Sequence, residues 1–224
     1  MPLVAISRFL DRQQSRARIR KMQDFYCRCR PLPDEQVLDV GTSGDETWEV
    51  SNTFLREYRH PENITVLGID DYDELRPRYP QVRFVTYDGS VFPFGDNSFD
   101  ICHSNAVIEH VGGRERQQFF LNEMVRVAGR GFFTTPNRWF PVDLHTRLPL
   151  VHYFPRATYV KLAAPFKRGR FAQDVNLLGA RDIRSLIAGT PIALSQIIPN
   201  RLFGFVVTYS IYWEKQATRG SSAS

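Results

Sequence analysis

The sequence predicts an α/β protein in which a doubly wound sheet carries helices on both faces. Two observations predict it. Between residues 37 and 135, short apolar runs rich in β-formers alternate with segments of helical periodicity, the pattern of repeated strand–helix–strand units. Toward the C-terminus two further apolar runs are joined only by Pro199-Asn200-Arg201, a connection short enough to require antiparallel pairing.

The first element is a basic leader, residues 1–30. Leu3, Ile6, Phe9 and Leu10, then Ile19, Met22, Phe25 and Tyr26, recur at helical spacing around a polar stretch, 11–18. The leader carries Arg8, Arg12, Arg16, Arg18, Arg20, Lys21, Arg28 and Arg30 against Asp11 and Asp24, while the rest of the chain is close to neutral. The plain expectation is a helix packed on the body with a solvated basic face. Peripheral contact with an anionic membrane or with nucleic acid is the sharper one.

After the turn signal Pro31-Leu32-Pro33-Asp34 the alternation begins, with strands expected at 37–41, 65–70, 82–87, 99–104 and 131–135 and helices at 45–58, 72–78 and 114–127. Within 114–127, Phe120, Met124 and Val127 define an inward face. From about 136 to 174 the alternation stops in a segment crowded with prolines, aromatics and bases, read as an insertion folded over the sheet. A helix at 180–188, set off by Gly179 and Gly189, precedes strands at 192–198 and 205–212. The small polar residues 216–224 read as a disordered tail. The domain organisation expected is therefore leader 1–30, body 31–215 with its insertion, and tail.

The composition narrows the class. In 224 residues, 42% hydrophobic content and 29 basic against 24 acidic side chains suit one globular core, not a disordered or fibrous chain. No run of about eighteen apolar residues or secretory signal is visible, so the expectation is a cytoplasmic protein, with the leader leaving room for membrane-peripheral placement. Cys27, Cys29 and Cys102 are an odd set with no second pair at zinc spacing, which argues against a disulfide scaffold or structural metal; no metal site is expected. Cys102 reads as core.

In an open α/β sheet, ligands lie outside the carboxyl ends of the strands. Asp39, Gly41 and Gly44, then Asp70, then Asp88 and Gly89, then Asn105, Ala106 and His110 fall at or just past those ends. Carboxylates at three successive ends accept hydrogen bonds from hydroxyl and amino groups and repel a pyrophosphate. They suit a nucleoside-like ligand that carries a cation. Each has a blander reading beside it: Asp39 holding backbone amides, Asp70 a turn residue among Asp71 and Asp73, Asp88-Gly89 a turn dipeptide.

Val37-Leu38-Asp39-Val40-Gly41, Gly68-Ile69-Asp70, Asp88-Gly89, Phe92-Pro93-Phe94 through Asp100, and Ile108-Glu109-His110-Val111 together resemble the class I S-adenosylmethionine-dependent methyltransferases, most closely the type 11 group, over residues 37–137. The resemblance implies a Rossmann-like, seven-stranded sheet with an antiparallel C-terminal strand. It implies methyl transfer from S-adenosylmethionine to an O, N or C nucleophile of an unidentified acceptor. It places Asp39 and Gly41, with Gly44, at the turn near the methionine moiety, Asp70 on the ribose hydroxyls, Asp88 on the adenine amino group with Gly89 beside the ring, and Asn105 or Ala106 under the cofactor. One motif departs: the family's Gly-x-Gly-x-Gly loop has Ser43 and Asp45 at its later glycine positions, and Asp45 reads as a cap for the next helix.

His110 and His145, the latter beside Asp143, are the candidate general bases, needed only if the nucleophile must lose a proton. An Asn-Pro-Pro-Tyr-type tetrapeptide is absent after the fourth strand, where Ser104-Asn105-Ala106-Val107 stands, which disfavours a base-amino acceptor. The aromatic, basic insertion and the leader suggest an amphipathic or anionic acceptor, lipid-linked or a glycan. Thr135-Pro136-Asn137 is a further candidate for the substrate cavity. The competing classes are a nicotinamide oxidoreductase, which needs the Gly-x-Gly-x-x-Gly turn that Gly41-x-x-Gly44 does not supply, and a non-catalytic binding protein on the same fold, with RNA binding through the leader a third.

Overall fold

The computed structural model describes residues 17–44, 46, 52–146, 148–166 and 175–216. Strands β1 (Val37–Val40), β2 (Ile64–Gly68), β3 (Arg83–Thr86), β4 (Phe99–Asn105), β5 (Ala128–Pro136), β6 (Ile192–Leu202) and β7 (Phe205–Lys215) form one seven-stranded sheet in the order β3-β2-β1-β4-β5-β7-β6. β1 runs parallel to β2 and β4, and β2 to β3; β6 and β7 are antiparallel. β1 and β2 are buried along their whole length, as strands covered on both faces must be, which is why they read as unbroken apolar runs. The expected α/β sheet with an antiparallel C-terminal strand is the one the chain forms.

The helices are α1 (17–29), α2 (Thr53–Glu57), α3 (Arg114–Val127), α4 (Arg156–Ala163) and α5 (Ala180–Ala188). Two compact units divide the chain: Met1–Ser104 with Arg126–Phe132, and Asn105–Val125 with Phe133–Ser224.

In the first unit α1 is part of the core. Phe25 is 0% exposed and meets the rings of Phe54, Tyr58, His103 and Phe132 edge-on at 5.0–6.1 Å. Arg130 ties the end of α1 to β5, donating to the Cys29 carbonyl at 3.0 Å and to Glu35 Oε2 at 2.6 Å. The basic face is only partly solvated: Arg20, Arg28 and Arg30 are exposed, whereas Arg18 and Lys21 are half-buried. Burial, with Arg56 nearby, lowers the Arg18 pKa to about 10. Residues 1–16 of the leader lie outside the described residues.

Three expectations are corrected. The helix at 72–78 is a run of turns: Leu75 N–H donates to Tyr72 O and Arg78 N–H to Leu75 O at 2.9 Å, an Asx turn at Asp71 precedes them, and Pro77 supplies no N–H to continue a helix. The helix at 45–58 is described only as Thr53–Glu57, entered through Asn52 at φ 52°; residues 45 and 47–51, with the capping role of Asp45, lie outside the described residues. The C-terminal turn is not Pro199-Asn200-Arg201. β6 continues through these residues, with Pro199 opposite Tyr209, and the chain reverses at Phe203-Gly204, both at positive φ (49° and 85°) as a two-residue hairpin demands. β6 is the edge strand, where a proline is tolerated within a sheet.

Phe120, Met124 and Val127 of α3 are buried, as their spacing predicts, and so is Cys102, whose thiol burial pushes up. The three cysteines are free thiols. The insertion carries α4 and a small core of its own, Tyr159 and Ala163 packed by Leu148, Val151 and Val160; residues 147 and 167–174 lie outside the described residues, as do 217–224 of the expected tail. Among the described residues no helix is long and apolar enough to cross a membrane.

Candidate active site

In the first unit the ends of β1 and β2 are tied together by backbone. Gly41 has φ 88°, which a residue with a Cβ rarely adopts, and its N–H donates to Leu67 O at 2.8 Å. Gly44 donates its N–H to Asp70 Oδ2 at 2.9 Å. A Cβ on Gly44 would stand 2.4 Å from the Asp71 carbonyl oxygen, so only glycine lets this loop close on the end of β2. Beneath the loop the buried Tyr72 hydroxyl donates to Thr42 O at 2.9 Å and fills the space where a Cβ on Gly68 would stand.

The acids of the first unit divide by environment. Asp70 and Asp88 are exposed, while Asp39 is 5% exposed with both carboxylate oxygens engaged: Oδ1 lies 2.6 Å from His103 Nδ1 and Oδ2 accepts the Thr42 hydroxyl at 2.6 Å. His103 is itself stacked on Phe54, with ring centroids 3.8 Å apart. Asp39 therefore anchors the loop from inside. Asp88 closes an Asx turn in which the Ser90 N–H and hydroxyl both donate to Oδ1, and these bonds hold its pKa below the usual carboxylate range. Gly89 follows at φ 80°, and Ile69, 69% exposed, has a methyl carbon 3.7 Å from where a Gly89 Cβ would lie. An exposed apolar side chain thus stands next to Asp70 in the chain and beside the Asp88-Gly89 turn. Such a surface fits a flat heterocycle with hydroxyl and amino donors.

The second unit holds the remaining candidates. Asn105 Oδ1 accepts the Thr134 hydroxyl at 2.7 Å, and Ala106, at φ 58°, donates its N–H to Thr134 O. Thr135 donates its hydroxyl to Glu109 Oε2 at 3.1 Å and is fully buried; Asn137 is spent on the backbone of β7, donating to Val206 O at 2.8 Å. These bonds account for Thr135 and Asn137 as packing of the strand end.

His110 and His145, far apart in sequence, come together with their ring centroids 4.9 Å apart. His145 Nδ1 lies 3.3 Å from Asp143 Oδ1. Asp143 is 1% exposed; its Oδ2 accepts from the Thr146 N–H at 2.9 Å, the Thr146 hydroxyl and the Tyr159 hydroxyl at 2.8 Å. Burial alone would raise the Asp143 pKa, but the hydrogen bonds from His145, Thr146 and Tyr159 outweigh it and hold the carboxyl well below its usual range. An ionised Asp143 selects the imidazole tautomer with the proton on Nδ1, which leaves Nε2 as acceptor. Glu109, His110 and His145 also offer one ligand atom each, all within 4.8 Å of one another, a set able to hold a metal ion. The sequence motifs mark no metal site, because only folding brings His145 to the adjacent Glu109 and His110.

The sequence does not mark His103 and Tyr72 as site supports, and it shows Gly68 only as part of the Gly68-Ile69-Asp70 motif. Their roles depend on neighbours across the sheet or loop, and nothing local signals them. Glu109 lay inside a motif already quoted, without a partner to give it a role.

Residues 38–133 match the family model described as a methyltransferase domain. A search of the curated proteins returns no match. Among solved structures, the chain resembles a Rhodobacter sphaeroides protein provisionally described as a Zn-dependent alcohol dehydrogenase (14% identity, TM-score 0.60, 83% of this chain and 85% of that one). It also resembles the CurJ carbon methyltransferase (13%, 0.54, 83% and 50%) and a SAM-dependent methyltransferase from Methanosarcina mazei (13%, 0.51, 83% and 94%). At such identities these likenesses concern the fold. Family match, motif series and strand order agree: the chain has the fold of the class I methyltransferases, and residues 38–133 are similar to the methyltransferase domain.

Proposed function

We propose that this protein transfers a methyl group from S-adenosylmethionine to a nucleophilic atom of a small acceptor. The observation that carries the reading is the Gly41–Gly44 loop fastened to Asp70, with Ile69, Asp88 and Gly89 beside it. When bound, S-adenosylmethionine supplies an activated methyl on a sulfonium. Asp70 accepts from the ribose hydroxyls, Asp88 from the adenine amino group, and Ile69 and Gly89 give the ring an apolar resting face. Gly41 and Gly44 let backbone approach the methionine portion. The protein's main chemical task is orientation, which contributes about 7–11 kcal/mol in well-aligned systems.

His145, held by ionised Asp143, would take the proton of an O–H or N–H nucleophile on Nε2. His110 stands beside it as the second polar group facing the acceptor. Strand order disfavours dinucleotide-dependent oxidation and reduction: that fold runs 3-2-1-4-5-6, whereas here antiparallel β7 stands between β5 and β6.

The test is transfer of tritiated methyl from labelled cofactor into fractionated cell extract. Wild type labels a fraction, and Asp70→Ala and Asp88→Ala lose the label. Equal labelling by all three would refute the assignment of the acids, and calorimetric binding of NADH without S-adenosylmethionine would refute the cofactor. The Glu109–His110–His145 cluster favours one second reading, a divalent cation that holds the acceptor's oxygen in place of a base. Chelator treatment separates the two: activity survives if His145 is the base and is lost if a cation is required.

A further inference from the structure

The second unit contains a cavity of about 310 Å³, lined by Arg114, Arg138, Arg156, Asn176, Tyr159 and Asp182 among others. Its charge is one-sided, with three guanidinium groups against the single carboxylate of Asp182. Arg114 spends its hydrogen bonds on neutral partners, the Asp182 carbonyl oxygen at 2.9 Å and the Ser185 hydroxyl at 2.8 Å, so its charge is not cancelled. Arg138 lies over the Trp139 ring at 5.6 Å, and among the described residues neither Arg114 nor Arg138 is in an ion pair. Asp182 is occupied capping α5, where its Oδ2 accepts the Gly179 N–H at 2.8 Å. The first turns of α3, α4 and α5 contribute Arg114, Arg156 and Asp182 to the wall.

The cavity also shares a wall with the candidate base. Tyr159 lines it and donates its hydroxyl to Asp143, the carboxylate that orients His145. Asn176 lines it and donates its N–H to Glu109 O at 2.7 Å.

We infer that this cavity binds the oxyanion of the methyl acceptor, a carboxylate or phosphate on a small molecule, and so delivers the acceptor's nucleophile to the His110–His145 pair. Guanidinium groups are matched to both oxyanions by their planar fork of donors. The volume is at the small end of ligand sites, room for a ring or sugar bearing one such group rather than for a polymer. The inference rests on the methyl-transfer reading and adds a substrate class to it.

Three probes of similar shape test it: phenyl phosphate, benzoate and uncharged phenol, titrated calorimetrically into the full chain at low salt with S-adenosylhomocysteine binding measured in the same samples. Phenyl phosphate or benzoate binds at least tenfold more tightly than phenol, and the stronger of the two identifies the oxyanion. The double variant Arg138→Gln/Arg156→Gln, both changes at exposed positions, lowers that affinity at least tenfold and leaves S-adenosylhomocysteine affinity unchanged. Equal affinity for phenol, no saturable anion binding, or full affinity in the double variant overturns the inference. S-adenosylhomocysteine binding without anion binding sinks this inference alone, and anion binding without S-adenosylhomocysteine binding sinks the methyl-transfer reading instead.

Discussion

Two carboxylates of one residue type have opposite tasks here because their surroundings differ. Asp39 is spent on His103 and Thr42, inside the protein, whereas Asp70 stays at the surface and gives one oxygen to Gly44. A ligand can gain a charge-assisted hydrogen bond from the second kind only, each contributing roughly 1.5–3 kcal/mol. The sharpest residue-scale prediction concerns Gly44. Replacing it with Ala drives a Cβ into the Asp71 backbone oxygen, which cannot turn away as a side chain could. Calorimetry should find S-adenosylhomocysteine affinity reduced at least tenfold, and thermal unfolding should register a cost of about 1–3 kcal/mol. Wild-type affinity in Gly44→Ala would mean the loop is not where the cofactor binds.

At the scale of elements, α1 and the final hairpin are the informative pieces. The sequence predicts a leader helix packed on the body, and Phe25 among four rings makes α1 part of the core. Phe25→Ala should therefore cost about 3–5 kcal/mol in denaturant unfolding, the penalty of a buried aromatic lost. A cost under 1 kcal/mol would show α1 to be a dispensable attachment. In the hairpin, Gly204 at φ 85° occupies a conformation that a Cβ disfavours. Gly204→Ala should destabilise by about 1 kcal/mol while leaving cofactor affinity unchanged, since the strain is local to the turn. The turn was misplaced from sequence because Pro199-Asn200 is a strong local turn signal. The sheet edge removes the reason a proline would end a strand, and residue 203 gives no hint of positive φ.

For the molecule as a whole, Asp143 links the site to acid stability. Its folded pKa is depressed, so the stabilisation it contributes is fully present above the unfolded-state value and is lost as the pH falls through the folded value. Asp143→Asn should be less stable than wild type by a constant margin from neutral pH down to about pH 5, with the margin narrowing below about pH 4. A margin that fails to narrow below about pH 4 would contradict an ionised Asp143. The same variant should lower methyl transfer to an O–H or N–H acceptor, because the neutral amide no longer stabilises the His145 imidazolium.

The sequence by itself determined the alternation of strands and helices, the burial of β1 and β2, the inward face of α3 and the series of glycines and acids past the strand ends. Those features are written in local periodicity and in residues whose backbone or charge preference holds in any context. Only the tertiary structure decided that Asp39 is an internal anchor, that 72–78 is turns, that His110 and His145 meet beside Asp143, and that three arginines share one cavity wall. Each of these depends on residues distant in the chain, and no local pattern encodes which distant partners the fold will bring within hydrogen-bonding reach.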